Sequence, residues 1–203
     1  MIDTLIFDFG DVFINLDKQG AMQNALNLFN MNTLEDDMIK TNMLYEVGKV
    51  STDEFIDFYT SKFSYLNENQ VIEAWNYILK DFPEYRLKFI QQLAEEKRFK
   101  LILLSNTNDM HIDFIKSNVS FYEDFKSCFD QFYLSQEIQL RKPNKDIFDF
   151  VLESNNLKPE QCFFVDDTKE NTDMAESLGI KVWNIDETNE DVINMFNLKN
   201  KFF

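Results

Sequence analysis

Apolar and polar positions along the chain follow three different rhythms. The run Thr4–Phe9 is apolar and too short for a helix, and it predicts a buried strand. Between about Asp17 and Asp81 no such run occurs, and four helix-like segments follow one another. Ser51 with Glu54, and Asn67 with Gln70, have the spacing of capping boxes at two of the starts. Beyond Pro83 the pattern alternates. Helices at about 84–97, 108–118, 143–155 and 170–178 precede the apolar runs Lys100–Leu104, Gln131–Leu134, Cys162–Val165 and Lys181–Ile185; Pro143 suits a first helical turn, and Gly179 the position just after a helix end. Strands alternating with helices predict a parallel sheet covered on both faces. The chain therefore reads as an α/β protein with a core from residues 1–16 and 82–203, and with the helical block 17–81 inserted after the first strand and packed on it.

Polar groups stand at the edges of these elements, where open α/β sheets collect ligand-binding residues. Asp8 ends the first strand; a carboxylate there can attack phosphorus without a base to activate it, and it can equally cap a turn. Gly10 permits close backbone approach, so its carbonyl could ligate a metal. Ser105 and Asn106 follow a very apolar strand, where a hydroxyl and neighbouring N–H groups can hold phosphate oxygens or simply form a turn. Lys142 precedes Pro143, which places its ammonium near an expected helix N-terminus, an electropositive position that an anion would relieve. Asp166 and Asp167 end another buried strand. Two adjacent carboxylates repel one another unless a cation joins them, and oxygen ligands of that kind suit Mg²⁺.

Composition narrows the classes. A net charge of −16 with scattered lysines disfavours nucleic-acid binding. No apolar stretch reaches the ~18–20 residues of a membrane span, and no signal peptide is visible, so the expectation is a cytoplasmic protein with no membrane partner. Cys128 and Cys162 lack paired spacing and are expected as buried reduced thiols. His111 is the only histidine, which excludes a His-rich metal site; it is expected to face solvent on a helix.

The segments Phe7-Asp8-Phe9-Gly10-Asp11-Val12, Leu104-Ser105-Asn106, Arg141-Lys142-Pro143 and Phe164-Val165-Asp166-Asp167, with Asn171 following, come in the order of the four motifs of the haloacid dehalogenase superfamily of aspartyl phosphohydrolases. The chain resembles that family over nearly its whole length. Leu104-Ser105-Asn106-Thr107-Asn108 and Tyr133-Leu134-Ser135-Gln136-Glu137 are similar to its small-sugar-phosphate phosphatase branch, whose known representative acts on α-D-glucose 1-phosphate. The resemblance implies a Rossmann-like core with an all-helical cap of the C1 type, and a Mg²⁺-dependent hydrolase of a small phosphate ester. It also implies roles: Asp8 as nucleophile and metal ligand, the Gly10 carbonyl as ligand, Asp167 as the main downstream ligand with Asp166 assisting, Ser105 and Asn106 on phosphoryl oxygens, and Lys142 balancing the charge. One position departs from most phosphatases of the superfamily. The residue two beyond the nucleophile, usually an Asp that protonates the leaving group, is Gly10, as the sugar-phosphatase branch also tends to have it; Asp11 is expected to point to the other side. Competing readings are a metal-independent haloacid dehalogenase, for which the acid pair has no purpose, and a catalytically weak regulatory protein that binds a phosphorylated metabolite. A signalling receiver domain would carry its acid pair first in the chain.

Overall fold

The computed structural model describes residues 1–203. Five parallel strands form one sheet in the order β3-β2-β1-β4-β5: β1 (Thr4–Phe7), β2 (Lys100–Ser105), β3 (Gln131–Leu134), β4 (Cys162–Asp166) and β5 (Lys181–Asn184). The expected strands are all present. With β1 in the centre, the chain leaves to one side for β2 and β3 and crosses to the other for β4 and β5, so the topological switch point lies at the C-terminal end of β1. Register then sets the height of the polar groups. Phe7 is level with Leu103 of β2 and Val165 of β4, so Asp8 emerges beside Asp166 and just below Ser105.

Side-chain alternation splits the buried residues between the two faces of the sheet. Leu5, Phe7, Leu101, Leu103, Phe163 and Val165 belong to one cluster, which α5 (Glu84–Glu96), α6 (Asp109–Asn118) and α7 (Tyr122–Ser127) complete; Ile6, Ile102, Leu104 and Phe164 belong to the other, under α9 (Lys145–Ser154) and α10 (Lys169–Ser177), with Ile138 of the short α8 (Ser135–Ile138) packed against it. The first cluster is unusually aromatic, as a chain with 22 phenylalanines requires. Phe125, fully buried, meets the rings of Phe9, Phe13, Phe82, Phe129 and Phe132 at centroid distances of 4.9 to 6.2 Å.

Between β1 and β2 lie α1 (Lys18–Phe29), α2 (Asp36–Glu46), α3 (Thr52–Lys62) and α4 (Glu68–Asn76), four helices as expected. Both capping boxes form, Ser51 with Glu54 and Asn67 with Gln70. These helices enclose a core of their own around Phe29, Met38, Tyr45, Phe55 and Tyr59, to which Met110 of α6 also contributes. The two connecting segments pair with each other: Asn15 N–H donates to Asp81 O at 2.9 Å, Lys80 N–H to Asn15 O at 3.0 Å and Asp17 N–H to Ile78 O at 2.9 Å. No helix is long and apolar enough to cross a membrane.

Three expectations need correction. Pro143 does not open a helix: α9 begins at Lys145, and Pro143 lies in a turn closed by Asn144 N–H donating to Arg141 O, after a cis Lys142–Pro143 peptide. The short α7 was not expected; its six residues are too few for a helical period to register. Of the cysteines, Cys162 is buried, but Cys128 is only half-buried.

The phenylalanine cluster carries a large share of the stability. Phe125→Ala is expected to destabilise the fold by about 3–5 kcal/mol, read as a lowered midpoint in denaturant unfolding; a cost below about 1 kcal/mol would mean that the neighbouring rings close the cavity.

Candidate active site

The backbone beyond β1 turns back at once. Asp8 N–H donates to Val165 O at 2.9 Å, extending the pairing with β4 by one residue; then Phe13 and Ile14 N–H donate to Phe9 O, and Asp11 N–H donates to Ile14 O at 2.7 Å. Asp11 adopts left-handed backbone geometry with φ 53°. Its Oδ1 accepts the Leu16 N–H at 2.8 Å and its Oδ2 meets Lys18 Nζ at 2.9 Å. Asp11 thus fastens the loop instead of lying opposite Asp8 across a continuing strand. The tight loop leaves the N–H groups of Phe9 and Gly10 without an acceptor in the protein, and the Gly10 carbonyl without a donor.

Lys142 is fixed at both ends. Asn106, just past β2, holds its backbone in a reciprocal pair, Asn106 Nδ2 donating to Lys142 O and Lys142 N–H donating to Asn106 Oδ1, each at 2.9 Å. Its ammonium, 1% exposed, reaches Asp8 Oδ1 at 2.8 Å and Asp166 Oδ2 at 2.6 Å. Two carboxylates thus supply the anions that its position was expected to call for, but the expected helix N-terminus is corrected, since α9 begins only at Lys145. Burial pulls the Lys142 ammonium down, but Asp166 and Asp8 outweigh it and hold its pKa above the ordinary lysine value.

Asp166 is fully buried and saturated with donors. Besides Lys142, Asn171 Nδ2 lies 3.0 Å from both of its oxygens, and Thr168 N–H donates to Oδ1 at 2.8 Å. Its neighbour Asp167 has an ion pair with Lys18, the first residue of α1. One oxygen from each of Asp8, Asp166 and Asp167 fits within 4.8 Å. Four carboxylates, counting Asp11, thus face only the two ammonium groups of Lys142 and Lys18. The imbalance falls on Asp8, whose pKa is pushed up to about 7 by burial first and by Asp166 and Asp167 next, against the pull of Lys142. A divalent cation beside these groups would return Asp8 to its anionic form. The Asp8 carboxylate, the Gly10 carbonyl, which has no partner in the protein, and Asp167, whose one ion pair is to a half-exposed lysine, make a set of hard oxygen donors that fits Mg²⁺.

Ser105, 3% exposed, has only a 3.5 Å contact from its hydroxyl to Asn106 O, and the Asn106 N–H also lacks an acceptor in the protein. With the N–H groups of Phe9 and Gly10 they form a set of uncommitted donors beside Asp8. The Asn106 side chain is not among them, being occupied with Lys142. A cavity of about 350 Å³ opens here between Asp8, Gly10, Lys18, Asn106 and Asp167, and a second of about 270 Å³ adjoins it over Gly10 and Ser105, reaching Asn42, Glu46, Trp75 and His111. His111 is half-buried between α4 and α6 and does not simply face solvent as expected. Its Nε2 lies 3.0 Å from Trp75 O and its Nδ1 3.2 Å from Asn108 Nδ2, and burial pushes its pKa down to about 4, so the ring is neutral at neutral pH.

Residues 2–179 match the model of the haloacid dehalogenase-like hydrolase family. The chain belongs to that family. It is 29% identical over 193 residues to the D-ribitol-5-phosphate phosphatase of Bacteroides thetaiotaomicron, covering 90% of this chain and 91% of that protein. A crystal structure of a family enzyme from the same organism, a magnesium complex, superposes with a TM-score of 0.84 at 31% identity, over 96% of this chain and 98% of that one. The complex of that enzyme with magnesium and inorganic phosphate gives 0.83 at 31% identity, over 97% and 100%.

The raised pKa of Asp8 has a consequence for stability. An unfolded aspartate releases its proton near pH 3.9, while the folded one keeps it to about 7. Between those values the native state binds more protons than the unfolded one, so this group's contribution falls as pH rises through the window. In chelator, the melting temperature of the wild type is expected to decline relative to Asp8→Asn from pH 4.5 to 7.5, and Mg²⁺ is expected to remove the decline. Parallel profiles would show that Asp8 is already compensated.

Proposed function

We propose that the protein is a Mg²⁺-dependent phosphomonoesterase that hydrolyses a small phosphorylated metabolite through an aspartyl-phosphate on Asp8. The observation that carries this reading is Asp8 itself. One of its oxygens is held by Lys142 and the other is unpartnered, at the point where three acids and four uncommitted donors meet. In the mechanism, the free carboxylate oxygen attacks phosphorus and the bond to the ester oxygen breaks; water then attacks the phosphorus of the acyl phosphate and regenerates Asp8. The Ser105 hydroxyl and the N–H groups of Phe9, Gly10 and Asn106 hold the phosphoryl oxygens, and Lys142 offsets charge on Asp8 and the phosphoryl group. Asp8, the Gly10 carbonyl and Asp167 would hold the Mg²⁺, which when bound neutralises phosphate charge and aligns it. Asp166 assists through its grip on Lys142.

The helical block 17–81 acts in this reading as a cap that selects the alcohol, since Lys18, Asn42, Glu46 and Trp75 all come from it to the two cavities. A sugar or polyol phosphate is supported by the ribitol phosphate named for the relative and by the polar side chains of Asn42, Glu46 and Asn108 in the adjoining cavity. Two unpaired cysteines suit a reducing, cytoplasmic setting.

The test is phosphate release from a panel of sugar and polyol phosphates with and without Mg²⁺. Asp8→Asn is expected to abolish turnover, and Asp167→Asn to raise the Mg²⁺ needed for half-maximal rate by roughly tenfold or more. Full activity in excess chelator, or turnover by Asp8→Asn, would remove the metal or the nucleophile from the proposal.

Gly10 leads to a second test. Both oxygens of Asp11 are occupied, so neither Gly10 nor Asp11 protonates the leaving oxygen, a function worth ~10²–10⁴ in rate. Sugar 1-phosphates, whose anomeric oxygen leaves more readily, are expected to turn over faster than 6-phosphates of the same sugar. An added Cβ at Gly10 would lie 2.6 Å from Leu16 Cδ1, so the informative variant is Gly10→Asp with Leu16→Ala, expected to narrow the gap in kcat. Equal wild-type rates would mean that another group supplies the proton.

A further inference from the structure

Beyond the cavity over Gly10 lies a third, of about 280 Å³, inside the helical block. The two have Asn42, Trp75, Ile78 and His111 in common, and Lys18 links the chamber to the acid cluster. Its character differs from the space around Asp8. Ala21, Ala25, Phe29, Tyr59, Ala74 and Ile78 wall it. The few polar groups are mostly spent: Tyr59 OH donates to Asn42 Oδ1 at 2.7 Å, both His111 nitrogens are engaged, and Lys18 is held by Asp11 and Asp167. What remains is chiefly donors, the Asn42 Nδ2 and the buried, unpartnered Trp75 Nε1, beside the spare lone pairs of the Tyr59 hydroxyl and Asn42 Oδ1. A polyhydroxylated chain reaching this chamber would leave most of its hydroxyl hydrogens without acceptors, a poor exchange for water. An apolar group would give up nothing, and three alanines on facing helices leave it room.

We propose that the site also takes phosphate monoesters whose alcohol ends in an apolar group, with the phosphate at Asp8 and the apolar end in this chamber. The inference rests on the phosphatase reading of Asp8 and extends it beyond sugar phosphates. The two ends of such a ligand are matched: uncommitted donors and the metal ligands at one, and at the other an apolar chamber whose one charged residue, Lys18, is paired with Asp11 and Asp167. The reaction is unchanged, breaking the ester P–O bond while water delivers a hydroxyl to phosphorus and a proton to the alcohol.

The experiment compares 2-phenylethyl phosphate with ribitol 5-phosphate, two primary alkyl esters, so that leaving-group basicity does not decide the result. The wild type with Mg²⁺ is expected to hydrolyse 2-phenylethyl phosphate with a KM no higher than that for ribitol 5-phosphate. Filling the chamber by Ala25→Phe from α1, or by Ala74→Phe from α4, is expected to lower the ratio of kcat/KM for the two esters at least roughly tenfold. Independently of any variant, 2-phenylethylphosphonate is expected to inhibit the wild type at least roughly tenfold more tightly than methylphosphonate. Equal inhibition by the two phosphonates, or an unchanged ratio in a folded variant, would overturn the inference. Acetyl phosphate, which has no tail, reports on Asp8 alone. Its hydrolysis without any preference for the phenyl compounds would overturn this inference and leave the phosphatase reading standing, whereas no hydrolysis of it would overturn both.

Discussion

A single buried ammonium holds the site together. Lys142 is almost without solvent contact and lies between carboxylates that come from two different strands, Asp8 after β1 and Asp166 at the end of β4. Taking three charged groups out of water is costly, and the arrangement survives because both carboxylates share the ammonium and Asp166 also accepts from Asn171 and Thr168, while the surplus negative charge falls on Asp8; removing one partner from such a set costs about 3–5 kcal/mol. Asn106 contributes from a third strand by clamping the lysine's backbone, so β1, β2, β4 and the turn before α9 are tied at one point. The site is therefore rigid where charge must be placed and uncommitted only where a ligand would sit.

The sheet order explains why these groups can meet. With β1 central, its C-terminal end is flanked by β2 and β4, and parallel pairing brings three polar strand ends to nearly the same height. The three central strands β1, β2 and β4 are largely apolar on both faces and buried, so the site's polar residues stand at their ends. The same burial that makes the strands stable drives the pKa of Asp8 upward. Core stability and the demand for a cation at the site have one origin.

That shared origin also explains what could be read from the sequence. Each strand is a short apolar run, and each site carboxylate, hydroxyl or lysine stands just past such a run or before a proline, so Asp8, Ser105, Lys142, Asp166 and Asp167 are legible as candidates. The capping boxes are legible because both halves lie three residues apart. What is not legible depends on contacts between distant segments. Lys18 looks like any helix-start lysine until α1 sets it against Asp167, 149 residues away. Asn171 shows its function only when Asp166 accepts from its side chain. Asn106 was legible as a site residue, but its side chain serves Lys142 and not a ligand. His111 shows no signal of burial in its own helix; Trp75, on another, supplies it. Pro143 misleads because a proline fits a turn as well as a first helical residue.

The helical block is bound to the sheet domain by more than its two linkers, and these contacts keep the cavities between them enclosed. Glu46, at the end of α2, pairs with Arg141 at 2.7 Å, its carbonyl accepts from the Ser135 hydroxyl at 2.6 Å, and Tyr45 OH accepts the Met110 N–H at 3.1 Å. Gly48 follows in left-handed geometry so close to Gln136 that a Cβ would lie 2.2 Å from its carbonyl oxygen, which only glycine allows. Arg141 directly precedes Lys142, so the turn that holds the buried ammonium also anchors the cap through its neighbour. Separating cap from core would break the Glu46 pair, pull Met110 from the aromatic core of the cap and open the cavities over Gly10 to water. The closed arrangement is thus stabilised by contacts made beside the site carboxylates and not with them, and the cavity walls that the helical block supplies exist only while it holds.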